Sequence, residues 1–127
     1  MSTELRAFCN QLVAFFEDLS ETYPEETDIA MAAQALALMK QANPRYIYRV
    51  FMQSVYAEFA DHILNEDEDY ILGRAKQMLA SDYANINFAF WIFDKHWSTM
   101  SETNKQYVWK YIKSLILLAG RVPRVAV

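Results

Sequence analysis

Four carboxylates within five residues, Glu66, Asp67, Glu68 and Asp69 after Asn65, form the densest group of metal-capable side chains in the sequence. Asn65, Asp67 and Asp69 stand at positions one, three and five of a calcium loop, where side-chain oxygens would hold the ion. Position six, which needs glycine for its sharp turn, is Tyr70, and position twelve, which needs a bidentate glutamate, is Lys76. The run therefore reads as a helix start. Asn65 or Asp67 caps it, and the acids that follow sit against the positive end of the helix dipole.

The remaining reactive types are scattered. His62 and His96 belong to no HExxH or CxxC pattern and have no ligand partner at a diagnostic spacing. Glu58 and His62 lie one helical turn apart and can pair with each other. Cys9 falls in an apolar arc and reads as a buried small hydrophobe rather than a nucleophile. Ser20, Ser54, Ser81, Ser98, Ser101 and Ser114 have no nucleophile-elbow context. With Gly73 and Gly120 the two glycines, no loop cradles a phosphate. The carboxylate pairs Glu25/Glu26, Glu66/Glu68 and Asp67/Asp69 look wet, with no setting that raises a pKa for acid–base work. The expectation is a protein that is not an enzyme, with no cofactor and no metal.

Charge is distributed unevenly. Met1 to Glu102 carries 16 acidic and 7 basic side chains, whereas the remainder carries Lys105, Lys110, Lys113, Arg121 and Arg124 with no acid. This basic segment is expected to pack on its own acidic body. As a nucleic-acid surface, through Lys110, Lys113, Arg121 and Arg124, it would be a weak electrostatic footprint. Leu117 falls in the polar stripe of the last helix, among Gln106, Lys110, Lys113, Ser114 and Arg121. That makes it a candidate apolar anchor with a charged rim, for a protein partner or a second copy.

The elements that must position these residues are helices. An arc of Leu5, Phe8, Cys9, Leu12, Val13, Phe15, Phe16 and Leu19 predicts a one-sided helix from about Thr3 to Leu19, capped by Ser2 or Thr3. Thr22-Tyr-Pro-Glu25 reads as a capping box opening a second helix to about Gln41, with Ile29, Ala32, Ala33, Leu36 and Met39 on one face and Met31, Ala35 and Leu38 on the other. Asn43-Pro44 opens a third, to about Leu64, whose apolar side runs from Tyr48 and Phe51 through Met52, Val55, Tyr56 and Phe59 to Ile63. Ile71, Ala75, Met78 and Leu79 supply the face of a fourth. Phe88 to Phe93 is apolar all round and is expected within a helix over Tyr83 to His96, contacted on two sides. Ser101 starts the last, ended by Gly120 with Pro123 following. Its broad inward arc takes in Tyr107, Val108, Trp109, Tyr111, Ile112, Leu115 and Ile116.

At 127 residues, 54% hydrophobic and 15% aromatic, the chain suits a single domain, 1–127, with a short basic tail at 121–127. One cysteine forms no internal disulfide, and no run reaches the roughly 18–20 apolar residues that span a bilayer. The opening residues do not read as a secretory signal, so the expected location is intracellular.

The pattern Trp97-x3-Ser101-x2-Asn104-Lys105-x3-Trp109-Lys110-Tyr111-x3-Leu115, with Tyr23-Pro24-Glu25 and Asp67-Glu68-Asp69-Tyr70 before it, resembles small helical proteins encoded by large DNA viruses of algae and protists. The resemblance implies a viral protein acting in the cytoplasm of its host or packaged in the virion, and it carries no catalytic residue. Together these readings predict an all-α, compact irregular bundle of five to six helices, packed around Phe51, Phe59, Phe90, Phe93, Trp97, Tyr111 and Leu115. The predicted role is a non-catalytic interaction or structural module that self-associates, with nucleic-acid or nucleoprotein association as the alternative.

Overall fold

The computed structural model describes residues 2–79 and 95–123. The helix expected over Tyr83 to His96 falls almost wholly outside the described residues, as do Phe90, Phe93 and Arg124. Among the described residues 88% are helical and none is in a strand, an all-α bundle of five helices and a 3₁₀ turn. In chain order these are α1 (Thr3–Thr22), α2 (Thr27–Ala42), α3 (Pro44–Phe51), a π-helical segment (Met52–Tyr56), α4 (Ala57–Leu64), α5 (Glu68–Leu79), the 3₁₀ turn (Trp97–Thr99) and α6 (Glu102–Arg121). α3, the π segment and α4 run on without a break, so the five helices count them as one.

Three helix starts form by the side chains expected of them. Ser2 Oγ accepts from Leu5 N–H at 3.1 Å, Asn43 Oδ1 from Tyr46 N–H at 3.2 Å, and Ser101 Oγ from Asn104 N–H at 3.1 Å. The predicted capping box at Thr22 does not form. Thr22 is instead the last residue of α1, its hydroxyl donating back to Asp18 carbonyl at 2.9 Å, and α2 begins at Thr27 after Glu26. A hydroxyl that can reach its own i−4 carbonyl has no need to turn toward the next helix.

Gly120 also departs from expectation. α6 continues through it to Arg121, and neither glycine has a positive φ. Its small size serves a close approach, because a Cβ there would stand 3.1 Å from the Tyr56 hydroxyl oxygen.

The acidic run does two jobs. Asp67 N–H donates to His62 carbonyl at 2.8 Å and Glu66 N–H to Ile63 carbonyl at 3.1 Å, the paired bonds of a Schellman close to α4, with Glu66 left-handed at φ 52°. Asp67 Oδ1 then accepts from Tyr70 N–H at 3.4 Å and caps α5.

α1 packs against α2 on one side and α6 on another, with α3 also against it. All eight residues of its predicted arc are buried. Phe8, wholly inaccessible, meets the edges of Tyr48 at 5.8 Å and Phe51 at 4.9 Å between ring centroids. Tyr48 hydroxyl donates to Ala119 carbonyl at 3.2 Å inside the core, which ties α3 to α6. Phe51, Phe59, Trp97 and Leu115 are buried as predicted, whereas Tyr111 is only half-buried.

Candidate functional site

Two histidines each stack on a tyrosine and bond a carboxylate. At the α4–α5 corner, the His62 ring lies 3.6 Å from that of Tyr70 and nearly parallel, with Nδ1 2.9 Å from Asp67 Oδ2. Glu58, the partner that helical spacing offered to His62, instead accepts from Arg74 Nε at 2.6 Å, Arg74 Nη2 at 3.1 Å and the Tyr70 hydroxyl at 2.8 Å. A bidentate guanidinium on the neighbouring helix outcompetes an imidazole one turn away. Arg74 first, then Tyr70, holds the Glu58 carboxyl below its usual range, and His62 does the same for Asp67.

At the second cluster, Glu26 is buried, the one charged residue buried among those described. This corrects the wet Glu25/Glu26 pair expected from sequence. Its carboxylate receives Lys95 Nζ at 2.6 Å and lies 2.9 Å from His96 Nε2, and the His96 ring stacks on Tyr23 at 4.1 Å. The Lys95 hydrogen bond chiefly lowers its pKa, and His96 adds to this against the opposing effect of burial. The sign follows for both Glu26 and Asp67. Each contributes stability above the ordinary carboxylate range near pH 4, and loses it as pH falls through the lowered value.

Glu25, Glu26 and His96 place ligand atoms within 4.8 Å of one another, a grouping that sequence spacing did not reveal because 70 residues separate its parts. The Lys95 ammonium already neutralises Glu26 there. A carboxylate held ionised in this way also has no proton to give at neutral pH, the opposite of what a general acid requires. Cys9 is likewise suited to packing. Burial pushes its thiol from 9.0 up to about 11, against a smaller lowering by Lys40.

The C-terminal candidates separate in space. Leu117 is 53% exposed, with Lys110 and Arg121 exposed around it and Ser114 half-buried. Lys113 is bonded to Glu66, so one rim cation packs on the acidic loop as the charge distribution suggested. The same bond, with those of Asp67 to His62 and of Glu68 to Trp97 Nε1 at 2.5 Å, engages much of that loop within the molecule. Tyr107 corrects the predicted wheel: it is 62% exposed rather than inward.

A further recess follows from tertiary packing. A groove of about 480 Å³ is lined by α1, α2 and the helix from Pro44 to Leu64, and reaches Ile71 of α5, Trp97, Met100 and the inward side of α6. Leu12, Phe15, Phe16 and Leu19 of α1 line it, with Ala32, Ala35, Leu36 and Met39 of α2, Tyr46, Ile47, Val50, Phe51, Ser54, Val55, Phe59 and Ile63 of the next helix, and Val108, Ile112 and Leu115 of α6. Its rim is apolar. Met31 and Leu38, 65% and 74% exposed, lie beside Ala35 on the α2 wheel, while Tyr46 and Val50 are exposed across from them. The two-faced character of α2 was legible in its sequence; the groove was not, because it depends on the angle between two helices.

Compared with protein-family models, curated proteins and solved structures, the chain matches none. No helix among the described residues is long and apolar enough to cross a membrane.

Proposed function

We propose that this protein is a non-catalytic interaction module that associates with a second copy of itself through the apolar face of α2 and α3. The observation that carries the reading is the apolar groove, with Tyr46 and Val50 exposed in its lining and Met31 and Leu38 exposed on α2, more large apolar side chains in water than the rest of the described surface gathers. Residues 29–57, which supply most of α2 and all of α3, carry Lys40, Arg45 and Arg49 and no acid, so the face offers an apolar surface with few charges at its edge to the like face of a second copy. Ser54 and Tyr46 supply the hydroxyls among the described lining residues, few polar groups for a reaction.

Leu117 with Lys110, Lys113, Ser114 and Arg121 is the alternative face, weakened by the use of Lys113 within the molecule. Nucleic-acid association has less support still, resting on Lys110 and Arg121 once Lys113 is paired. The setting of a viral accessory or virion-associated protein, cytoplasmic or in the particle, comes from the sequence resemblance and belongs to the same proposal.

Analytical ultracentrifugation tests it. The wild type should dimerise with concentration, and M31Q/L38Q should weaken association by about 1–3 kcal/mol while remaining folded. A loss on L117Q instead would move the interface to α6. A wild type monomeric at about 100 μM would remove self-association.

A further inference from the structure

A second recess, of about 240 Å³, lies between the last two turns of α1 and the first turns of α6. Its lining comes from a local rule: Asn104, Tyr107, Val108 and Tyr111 are spaced i, i+3, i+4 and i+7 and so share one side of α6. That side faces Phe15, Asp18 and Tyr23 across the cleft. Four aromatic rings and a carboxylate thus border one small space, with no Lys, Arg or His among its described lining residues.

The parts are held in place. Phe15 and Tyr111 meet at 5.2 Å between centroids and 40° between planes, making two adjoining walls. Tyr111 hydroxyl donates to Asp18, which fixes the ring and keeps the carboxylate beside it. Tyr23 is backed by the stacked His96 ring. Tyr107 lines the recess with most of its surface in water, which leaves its ring accessible to a ligand there.

We propose that this cleft is a cation–π site for a quaternary or methylated ammonium group. Three independent features favour a cation: the electron-rich ring faces, the Asp18 carboxylate, and the negative end of the α1 dipole, whose last turn contains no basic residue. Methylation matters because it weakens hydration, so the rings compete better with water than they would for a bare ammonium. The volume is below the roughly 300–1,000 Å³ of drug-sized sites and suits a headgroup. A nucleotide is a poorer fit, since its phosphates would meet Asp18, with Glu17 and Glu21 nearby in sequence.

Choline and its neutral isostere 3,3-dimethylbutan-1-ol separate charge from shape. Isothermal titration at constant ionic strength should give 1:1 saturable binding of choline, with the isostere weaker by roughly 3- to 30-fold. Tyr107→Ala, at an exposed position where circular dichroism should be unchanged, should weaken choline by a similar factor. Tyr107→Phe should retain binding within about 2-fold, because the ring face and not the hydroxyl binds. Asp18→Asn should weaken choline more than the isostere. Equal affinity for both probes, an unchanged affinity in Tyr107→Ala, or no saturation by about 50 mM choline would each overturn the proposal.

Discussion

α1 and α2 are neighbours in sequence, pack against each other and are both rich in apolar residues, yet they meet solvent differently. α1 buries eight large or medium side chains along one arc. α2 fully buries only Ile29 and Ala33 and leaves Met31 and Leu38 in water. The difference lies in where the polar residues stand. Arg6, Asn10, Glu17 and Asp18 hold the outer side of α1, whereas α2 has no charge between Asp28 and Lys40. Apolar content therefore sets how much surface a helix offers, and the placement of charges sets how much of it must be hidden.

Deleting the Phe8 ring should break the closed side most severely. Phe8→Ala removes a wholly buried side chain between Tyr48 and Phe51, and should cost about 3–5 kcal/mol in urea unfolding. A loss below about 1 kcal/mol would mean that the α1 side is as loosely packed as the α2 face.

The Cys9 thiol probes the same side without a mutation. With its pKa raised to about 11, the thiolate fraction at pH 8 falls by about 100-fold relative to an ordinary thiol, before any hindrance of access is counted. A thiolate of higher pKa is also the better nucleophile, so reaction with a disulfide reagent at pH 8 should be slower than in the urea-unfolded chain by at least about 10-fold.

A smaller gain is expected where a helix leaves space. Nothing lies within 4 Å of a Cβ built on Gly73, an exposed position within α5. Gly73→Ala should stabilise the protein by about 0.8–1 kcal/mol, read as an upward shift of the thermal midpoint.

The smallest change in stability belongs to the open side. Leu38→Gln should alter monomer stability by no more than about 0.5 kcal/mol. Combined with the loss of association expected of M31Q/L38Q, this would establish that the apolar face of α2 serves contact with another molecule and contributes little to its own fold.

Much of the fold was legible in sequence because its signals are local. The caps at Ser2, Asn43 and Ser101 act within three residues, and the α1 arc follows from spacing alone. Thr22 misled because a hydroxyl can serve the helix behind it as readily as the one ahead. Glu58 misled because Arg74, sixteen residues away, offered two hydrogen bonds where His62 offered one. Tyr107 departs from the wheel because a wheel treats every apolar residue of an arc alike, whereas the neighbours that bury Val108 and Trp109 do not reach it.

By itself, then, the sequence determined the helices, most of their starts and the buried stripe of α1, all consequences of interactions across one turn. Tertiary structure alone decided that Glu26 would be buried against Lys95 and His96, that α1, α2 and the helix from Pro44 would line an apolar groove, and that Tyr23 and Tyr111 would line one recess with Asp18. Each of these brings together residues far apart in the chain. Their juxtaposition depends on how helices cross and how far they stand apart, and no periodicity within a single helix encodes that.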